Sequence, residues 1–231
     1  MQVKAGVVVF PGSNCDHDTF YALNDILDVQ VKYIWHKEVE INNFDFIFLP
    51  GGFSYGDYLR SGAIARFSPL MNDLIKKAKD GLPVLGICNG FQVLTEAHLL
   101  PGALMKNTNL RFVCKHVNIR LEKNSSYLVK ELPVNSVYSI PIAHGEGCYH
   151  IDEAGLEKLK DNGQIVFKYV DDDHRVTAEA NPNGSLENIA GICNEKGNII
   201  GMMPHPERAI EDIIKSDEGY KILETMLNAV M

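Results

Sequence analysis

The chain lacks the features that mark several large classes of protein. Its 231 residues contain 22 Lys and Arg against 30 Asp and Glu, a formal net charge of −8, and there is no basic run with interleaved aromatic residues. Surfaces that bind nucleic acid are basic, so a nucleic-acid partner is not expected. No apolar segment approaches the length of a membrane span, and the apolar stretch 5–10 is too short for a secretory signal. We therefore expect a cytoplasmic protein with no membrane partner.

Cysteine is scarce, and the cysteines are far apart in the sequence. The five occur at positions 15, 88, 114, 148 and 193, without a CxxC pair. An odd number at this spacing favours neither a disulfide scaffold nor a zinc ribbon. His144, Glu146, Cys148 and His150 could be drawn as a metal site, but their spacing matches no HExxH or paired CxxC pattern. A turn at the rim of a cleft or at a partner face is the better interpretation, and we expect no bound metal.

The sequence also has no GxxxxGK[ST] phosphate-binding loop, no linker and no repeat, so one domain is predicted over residues 1–231. Short apolar runs alternate with helical patterns, as in parallel βα units. The runs that precede loops or helices are residues 7–10, 46–49 and 84–87. Residues 117–121 and 165–170 read instead as alternating, antiparallel strands. The predicted fold is α/β, a mostly parallel open sheet with helices on both faces and an antiparallel extension.

Cys88 lies where one of these apolar runs stops and helix-forming residues begin, and Gly86 and Gly90 flank it. A side chain at a sharp strand-to-helix turn needs a crowded backbone geometry, and the two glycines remove Cβ atoms that would clash there. The start of a helix also favours thiolate over thiol. The pattern predicts a cysteine nucleophile at the carboxyl edge of the sheet. The alternative is a buried structural cysteine.

His205 is the candidate base for this nucleophile, and it lies between Pro204 and Pro206. The two prolines are expected to hold the segment extended, which would place Glu207 on the same side of the chain as His205. Glu207 could then accept a hydrogen bond from one ring nitrogen and leave the other to face the thiol. Cys88, His205 and Glu207 would form a triad. The alternative is a loop histidine without a catalytic role.

Backbone N–H groups near Cys88 could stabilise the oxyanion of an acyl transfer. One donor is Asn89, directly after the nucleophile, and the second is Gly52 or Phe53 in the loop after the run 46–49. Each such donor is commonly worth about 10²–10³ in rate. Gln92, one helical turn beyond Cys88, would face the same cleft and could bind substrate through its amide.

These segments resemble the class I glutamine amidotransferases, and within them the glutaminase subunits of phosphoribosylformylglycinamidine synthases. The resemblance extends nearly from end to end, and it rests on residues 10–16, 50–57, 86–92, 143–147, 181–185 and 204–207. It implies a flavodoxin-like fold in which Cys88 is the nucleophile, His205 the general acid/base and Glu207 its orienting partner. Gly52 and Asn89 would form the oxyanion hole.

The resemblance also implies the substrate and the partner. Glutamine would be cleaved through a cysteinyl thioester, with Gln92 holding its amino-acid end, and the ammonia would pass to a separate synthetase subunit that makes formylglycinamidine ribonucleotide. ATP and Mg²⁺ would be used by that partner, and no cofactor is expected in this chain. Whether a third small subunit bridges the complex stays open.

Two other functions are compatible with the same residues. A cysteine peptidase of similar fold could use the triad, although it would need an extended groove, and the turnover of glutamine against peptides separates the two. A non-catalytic interaction subunit is disfavoured because nucleophile, base, acid and oxyanion loop are all present in the sequence. Covalent labelling of Cys88 by a glutamine-like electrophile would distinguish that case.

Overall fold

The computed structural model describes residues 2–214 and 216–231. The strands are β1 (Lys4–Val9), β2 (Gln30–Trp35), β3 (Phe46–Leu49), β4 (Val84–Ile87), β5 (Ala103–Met105), β6 (Val113–Leu121), β7 (Val137–His144), β8 (Cys148–His150), β9 (Ile165–Val170), β10 (Ile189–Cys193) and β11 (Ile199–Met202). The helices are α1 (Asp16–Tyr21), α2 (Pro69–Asp80), α3 (Asn89–Glu96), α4 (Glu153–Asp161) and α5 (Glu218–Asn228). None of the described helices is long and apolar enough to cross a membrane.

Nine of the strands form one sheet, in the order β2-β1-β3-β4-β11-β10-β9-β6-β7. Strands β2, β1, β3, β4 and β11 are parallel neighbours, and β10, β9, β6 and β7 continue the sheet in antiparallel pairs. The parallel part has the 2-1-3-4-5 order of flavodoxin-like folds. Strands β5 and β8 form a separate antiparallel pair. The predicted parallel sheet with an antiparallel extension is confirmed.

The central strands form because their sequences are apolar at every position. Every residue of β3 and of β4 is buried, as expected for strands covered on both faces. Helix α2 starts with Pro69 at its first position and stops at Gly81, which has a left-handed φ of 116°. The buried apolar side chains of these elements belong to one continuous core.

The strand order brings distant parts of the chain together at one edge of the sheet. Strand β11 pairs in parallel with β4, so that Met202 lies opposite Ile87. The segments that follow these two strands, which carry His205 and Cys88, therefore leave the sheet side by side. The loop after β1 joins them, because the Cys15 N–H donates to the carbonyl of Gly51 after β3 (3.3 Å).

Candidate active site

Cys88 occupies the predicted sharp turn between β4 and α3. Its backbone has φ 51° and ψ −105°, a combination that a non-glycine residue rarely adopts. Its N–H donates to the carbonyl of Met202 in β11 (2.8 Å), which fixes the turn against the neighbouring strand. A Cβ on Gly90 would overlap the carbonyl of Leu49, and one on Gly86 would lie 2.7 Å from the backbone of Gly90. Both flanking glycines are therefore needed for the turn.

His205 and Glu207 make the predicted contact, but the backbone between them differs from the prediction. Nδ1 of His205 lies 2.7 Å from Oε1 of Glu207, and both side chains are almost fully buried. Glu207 is not in an extended segment, because Pro206–Arg208 forms a 3₁₀ turn with proline at its start. The fixed φ of proline suits the first position of a helical turn, and this preference decided the local geometry.

Opposing effects act on the imidazole of His205. Burial lowers its pKa, but the Glu207 carboxylate and then the thiol groups of Cys88 and Cys15 outweigh burial and hold the pKa well above its ordinary value of 6.5. These surroundings favour the protonated form of His205. An imidazolium held by a carboxylate can donate a proton to a departing amine, which is the role of a general acid.

Cys15 is a residue of this site to which the sequence analysis gave no role, although it lies in the segment 10–16 that contributes to the family resemblance. The ligand atoms of Cys15, His205 and Glu207 all lie within 4.8 Å of one another. Gly51 makes this approach possible, since a Cβ there would lie 2.7 Å from Cε1 of His205, 2.9 Å from Sγ of Cys15 and 3.4 Å from Cβ of Cys88. The signal in the sequence was the position of Cys15 in the loop after β1, at the edge where the ligands of open α/β sheets bind.

The two predicted oxyanion donors belong to segments that border Cys88, and their role in stabilising an oxyanion stays a prediction. The N–H of Phe53 donates to the carbonyl of Gly12 (3.0 Å), so Gly52 is the better candidate of the two residues in this loop. Gly52 has φ 144°, and a Cβ there would lie 2.8 Å from the backbone of Asn14, so only glycine fits. Asn89 is the first residue of α3, where the N–H groups have no partner within the helix.

Gln92 lies one turn beyond Cys88, as predicted, and is almost fully buried. Its Nε2 donates to the carbonyl of Glu146 (2.6 Å), and its Oε1 accepts from Nδ2 of Asn89 (2.9 Å). Asn89 in turn accepts a hydrogen bond from the N–H of Ser54 (3.2 Å). This chain of bonds joins the glycine loop, α3 and the segment after β7 into one wall of the site.

The spacing suggested that His144 lies in a turn at the cleft rim, but the structure places it elsewhere. It ends β7 and is buried, with Nδ1 3.2 Å from Oδ1 of Asn107. Burial, and then the charge of His205, lower the pKa of His144 to about 4, so it is neutral at pH 7. The thiol of Cys148 points elsewhere and contacts the carbonyl of Gly184 (3.1 Å). Within residues 2–214 and 216–231, His144, Glu146, Cys148 and His150 do not converge on a common metal position.

Residues 2–225 match the family model of the CobB/CobQ-like glutamine amidotransferase domain. The chain belongs to this glutamine amidotransferase family. The phosphoribosylformylglycinamidine synthase subunit PurQ of Salinibacter ruber is 52% identical over 230 residues, which cover 100% of this chain and 98% of the relative.

Solved structures give the same fold. A chain in the structure of PurLQS from Thermotoga maritima superimposes on this amidotransferase with a TM-score of 0.86 and 40% identity, and each chain is covered completely. A glutamine amidotransferase from Thermotoga maritima aligns with a TM-score of 0.62 over 100% of this chain and 99% of its own, at 15% identity, and supports the fold alone. The expected amidotransferase fold is confirmed.

Asp57 is an unusual carboxylate in the loop beside the amidotransferase site. Its φ is 54°, and its Oδ1 is buried without a hydrogen-bond partner. Burial raises its pKa, the Ser61 hydroxyl opposes this, and the nearby Glu146 carboxylate adds to it, so that the pKa is about 6 instead of 3.8. A strained and poorly partnered acid costs stability, and such costs are typical of functional sites.

We predict that Asp57→Asn stabilises the protein at pH 8 and that the gain shrinks as the pH falls to 5. A group whose pKa is raised on folding binds its proton more tightly when folded, so the wild-type chain loses stability as the pH rises from about 4 through about 6. The amide cannot ionise and avoids this loss. Thermal unfolding at the two pH values measures the effect. Asp171→Asn is the control. It should destabilise the protein, because backbone hydrogen bonds lower the pKa of Asp171 in the folded state. A gain for Asp57→Asn that does not vary with pH would contradict the assignment.

Proposed function

We propose that this amidotransferase is the glutaminase subunit of a phosphoribosylformylglycinamidine synthase, working in the cytoplasm. It hydrolyses glutamine to glutamate and supplies ammonia to a separate synthetase subunit, which makes formylglycinamidine ribonucleotide in purine biosynthesis. ATP and Mg²⁺ are used by the synthetase subunit. The observation that carries the proposal is the full-length similarity to a subunit of that name, 52% identical, in a chain that brings a strained cysteine and a buried His–Glu pair together.

The chemistry begins at Cys88. Its thiolate attacks the side-chain amide of glutamine and forms a tetrahedral anion, which the N–H groups of Gly52 and Asn89 stabilise. His205 donates its proton to the departing nitrogen, ammonia leaves, and a glutamyl thioester remains on Cys88. His205 then takes a proton from the water that hydrolyses the thioester. Glu207 holds the imidazole in place and stabilises its charged form throughout.

The wall formed by Gln92 suits the amino-acid end of the substrate. Gln92 is held from both ends of its amide, by Asn89 and by the Glu146 carbonyl, and a side chain fixed in this way loses no further freedom when substrate binds. The amide keeps one free N–H, which can donate to the α-carboxylate of glutamine. Gln92 therefore sets the distance between the α-carboxylate of glutamine and Cys88. In a substrate with a longer or shorter side chain, the reacting amide would be misplaced.

Access to the site depends on the loop from Phe53 to Arg60. Cys88 is only 5% exposed and His205 only 1%, so little of the nucleophile is open to solvent in this conformation. A narrow approach of this kind suits a small substrate such as glutamine better than the extended chain that a peptidase binds. The loop contains left-handed residues at Tyr55, Asp57 and Leu59, and the Leu59 side chain is 93% exposed. A strained loop that exposes large apolar side chains beside the site is suited to change shape against a partner.

We predict that the isolated chain hydrolyses glutamine slowly and that the synthetase subunit raises the rate. The partner would shift the loop and the adjoining Gly52 toward an open, competent conformation. A hundredfold increase requires only about 2.7 kcal/mol of differential binding. The same assay tests the proposed function: glutamate release and amidine formation are measured with and without the synthetase, its nucleotide substrate and ATP, and with the third small subunit added separately.

Equal rates of glutamate release in the presence and absence of the synthetase would contradict the activation. A mixture that forms the amidine from ammonium salt but never from glutamine would contradict the proposed function itself. The two failures are distinguishable because one concerns the rate of glutamine hydrolysis and the other the fate of its nitrogen.

A further inference from the structure

A cavity that none of the catalytic residues lines lies at the carboxyl ends of β1 and β2. Its volume is about 350 Å³, and it is lined by Val9, Asp16, His17, Tyr33, Trp35 and Glu38. Val9 and Trp35 are the last residues of the two strands and pair with each other, and Asp16 is the first residue of α1. The lining therefore combines two carboxylates with two large aromatic rings, and none of the described residues in it is lysine or arginine.

Asp16 contributes a carboxylate that the fold leaves unsatisfied. The side chain is only 7% exposed, and its Oδ1 is buried with no hydrogen-bond partner among residues 2–214 and 216–231. No side chain caps the start of α1, so capping does not satisfy Asp16 either. In the same helix Asp18 is paired with the Arg208 guanidinium (2.8 Å). Buried polar atoms are nearly always paired, and an unpaired carboxylate is a costly exception, so Asp16 indicates a ligand with positive charge.

Two exposed aromatic rings line the cavity with this carboxylate. Trp35 is the only tryptophan of the chain and is 45% exposed. Tyr33 is held in place by stacking on Phe20, with ring centroids 4.6 Å apart, and by the contact of its hydroxyl with Nδ1 of His17 (3.2 Å). Glu38 is fixed beside Trp35, because its Oε1 accepts the N–H of that residue (3.0 Å). The faces of aromatic rings attract cations, the indole most strongly, so rings and carboxylates here favour the same kind of ligand.

We propose that this cavity is a binding site for a guanidinium group. A guanidinium is planar, always charged and weakly hydrated, so it can stack on an aromatic ring and donate hydrogen bonds to a carboxylate at the same time. A primary ammonium group has no flat face to stack. The guanidinium can belong to free arginine or a similar small molecule, or to an arginine side chain of another protein. The site goes beyond the proposed function, because no step of glutamine hydrolysis uses these residues.

The single tryptophan gives a direct measurement of binding at this site. Arginine is titrated into the full-length chain at constant ionic strength while the fluorescence of Trp35 is recorded. Citrulline is the matched ligand, since a neutral urea group replaces its guanidinium. We expect a saturable change with arginine and none with citrulline over the same concentrations. No saturable change with arginine, or the same change with both ligands, would overturn the proposal.

A pair of variants separates recognition in the cavity from general attraction to an acidic protein. Asp16→Asn should weaken arginine binding about tenfold or more, because it removes the charge that accepts the guanidinium hydrogen bonds. Asp25→Asn removes the same charge from an exposed position that does not line the cavity, and it should bind like the wild type. Equal affinities of Asp16→Asn and Asp25→Asn would contradict the proposed site.

Trp35→Ala tests the aromatic wall and leaves the buried carboxylate in place, so it does not depend on the folding of Asp16→Asn. Calorimetry replaces fluorescence, and we expect arginine binding to weaken about threefold or more. Tyr21→Ala is the control, because Tyr21 is exposed to the same extent, 44%, but does not line the cavity. Unchanged binding in Trp35→Ala would be incompatible with stacking on the indole.

A third ligand distinguishes the two sources of the guanidinium. N-acetyl-arginine amide is blocked at both ends, as arginine is within a protein chain, and it is titrated in the same fluorescence assay. Binding as tight as that of free arginine would indicate an arginine side chain of another protein, and binding at least tenfold weaker would indicate a free small molecule. If neither arginine nor its blocked form bound, the proposed site would be wrong.

Discussion

Cys88→Ala is expected to abolish glutamine-dependent amidine formation by the complex and to leave the ammonium-dependent reaction unchanged. The Cys88 thiol is the nucleophile that forms the glutamyl thioester, whereas the synthetase reaction uses ammonia from any source. Loss of a nucleophile from a triad costs about 10⁴-fold or more in kcat. The measurement is amidine formation by the reconstituted complex with glutamine and, separately, with ammonium salt.

Cys114→Ala serves as the control for this variant, because it removes an exposed cysteine outside the site and should leave both reactions intact. Glutamine-dependent activity of Cys88→Ala within an order of magnitude of the wild type would show that Cys88 is not the nucleophile. Loss of the ammonium-dependent reaction as well would show that the substitution damaged the complex and not the chemistry.

His205→Ala is expected to lower the kcat of glutamine hydrolysis far more than Glu207→Gln does. His205 transfers protons in both halves of the reaction, while Glu207 orients the imidazole through the 2.7 Å contact and keeps its pKa high. In a well-studied triad of another enzyme, removal of the base lowers kcat by about 10⁶ and removal of the acid lowers it by about 10⁴. We expect the same ranking here. Glutamate release by the complex, measured for each variant, gives the two costs.

The double variant Cys88→Ala/His205→Ala provides the sharper comparison. Residues that act as one unit lose their function together, so removal of His205 should add little once Cys88 is absent. If the losses of the single variants added up in the double variant, the two residues would serve separate steps. The assignment of His205 as the partner of Cys88 would then be wrong.

The elements that sequence predicted well are those determined by local chemistry. Strands β3, β4 and β9 begin and end at the predicted residues, because each is a short apolar run bounded by turn-forming or polar residues. The turn at Cys88 was predictable for the same reason, since only glycine at positions 86 and 90 permits the close approach of backbone that the turn needs.

The features that sequence did not predict depend on contacts between distant segments. Cys15 lies beside His205, 190 residues later in the chain, because β1, β3, β4 and β11 are placed side by side in the sheet and Gly51 keeps the space between them open. His144 looked like a rim residue, but it is buried because β7 packs into the antiparallel extension. Local sequence patterns contain no information about the distant segments that pack against Cys15 and His144.

The most direct test of the account is the identity of the covalent intermediate. Wild-type complex is mixed with isotope-labelled glutamine, quenched in acid during turnover and digested, and the peptides that contain Cys88 and Cys15 are examined by mass spectrometry. The account predicts a glutamyl group on the Cys88 peptide, none on the Cys15 peptide and none in Cys88→Ala. A glutamyl group on Cys15, or glutamate release without any adduct on Cys88, would contradict it.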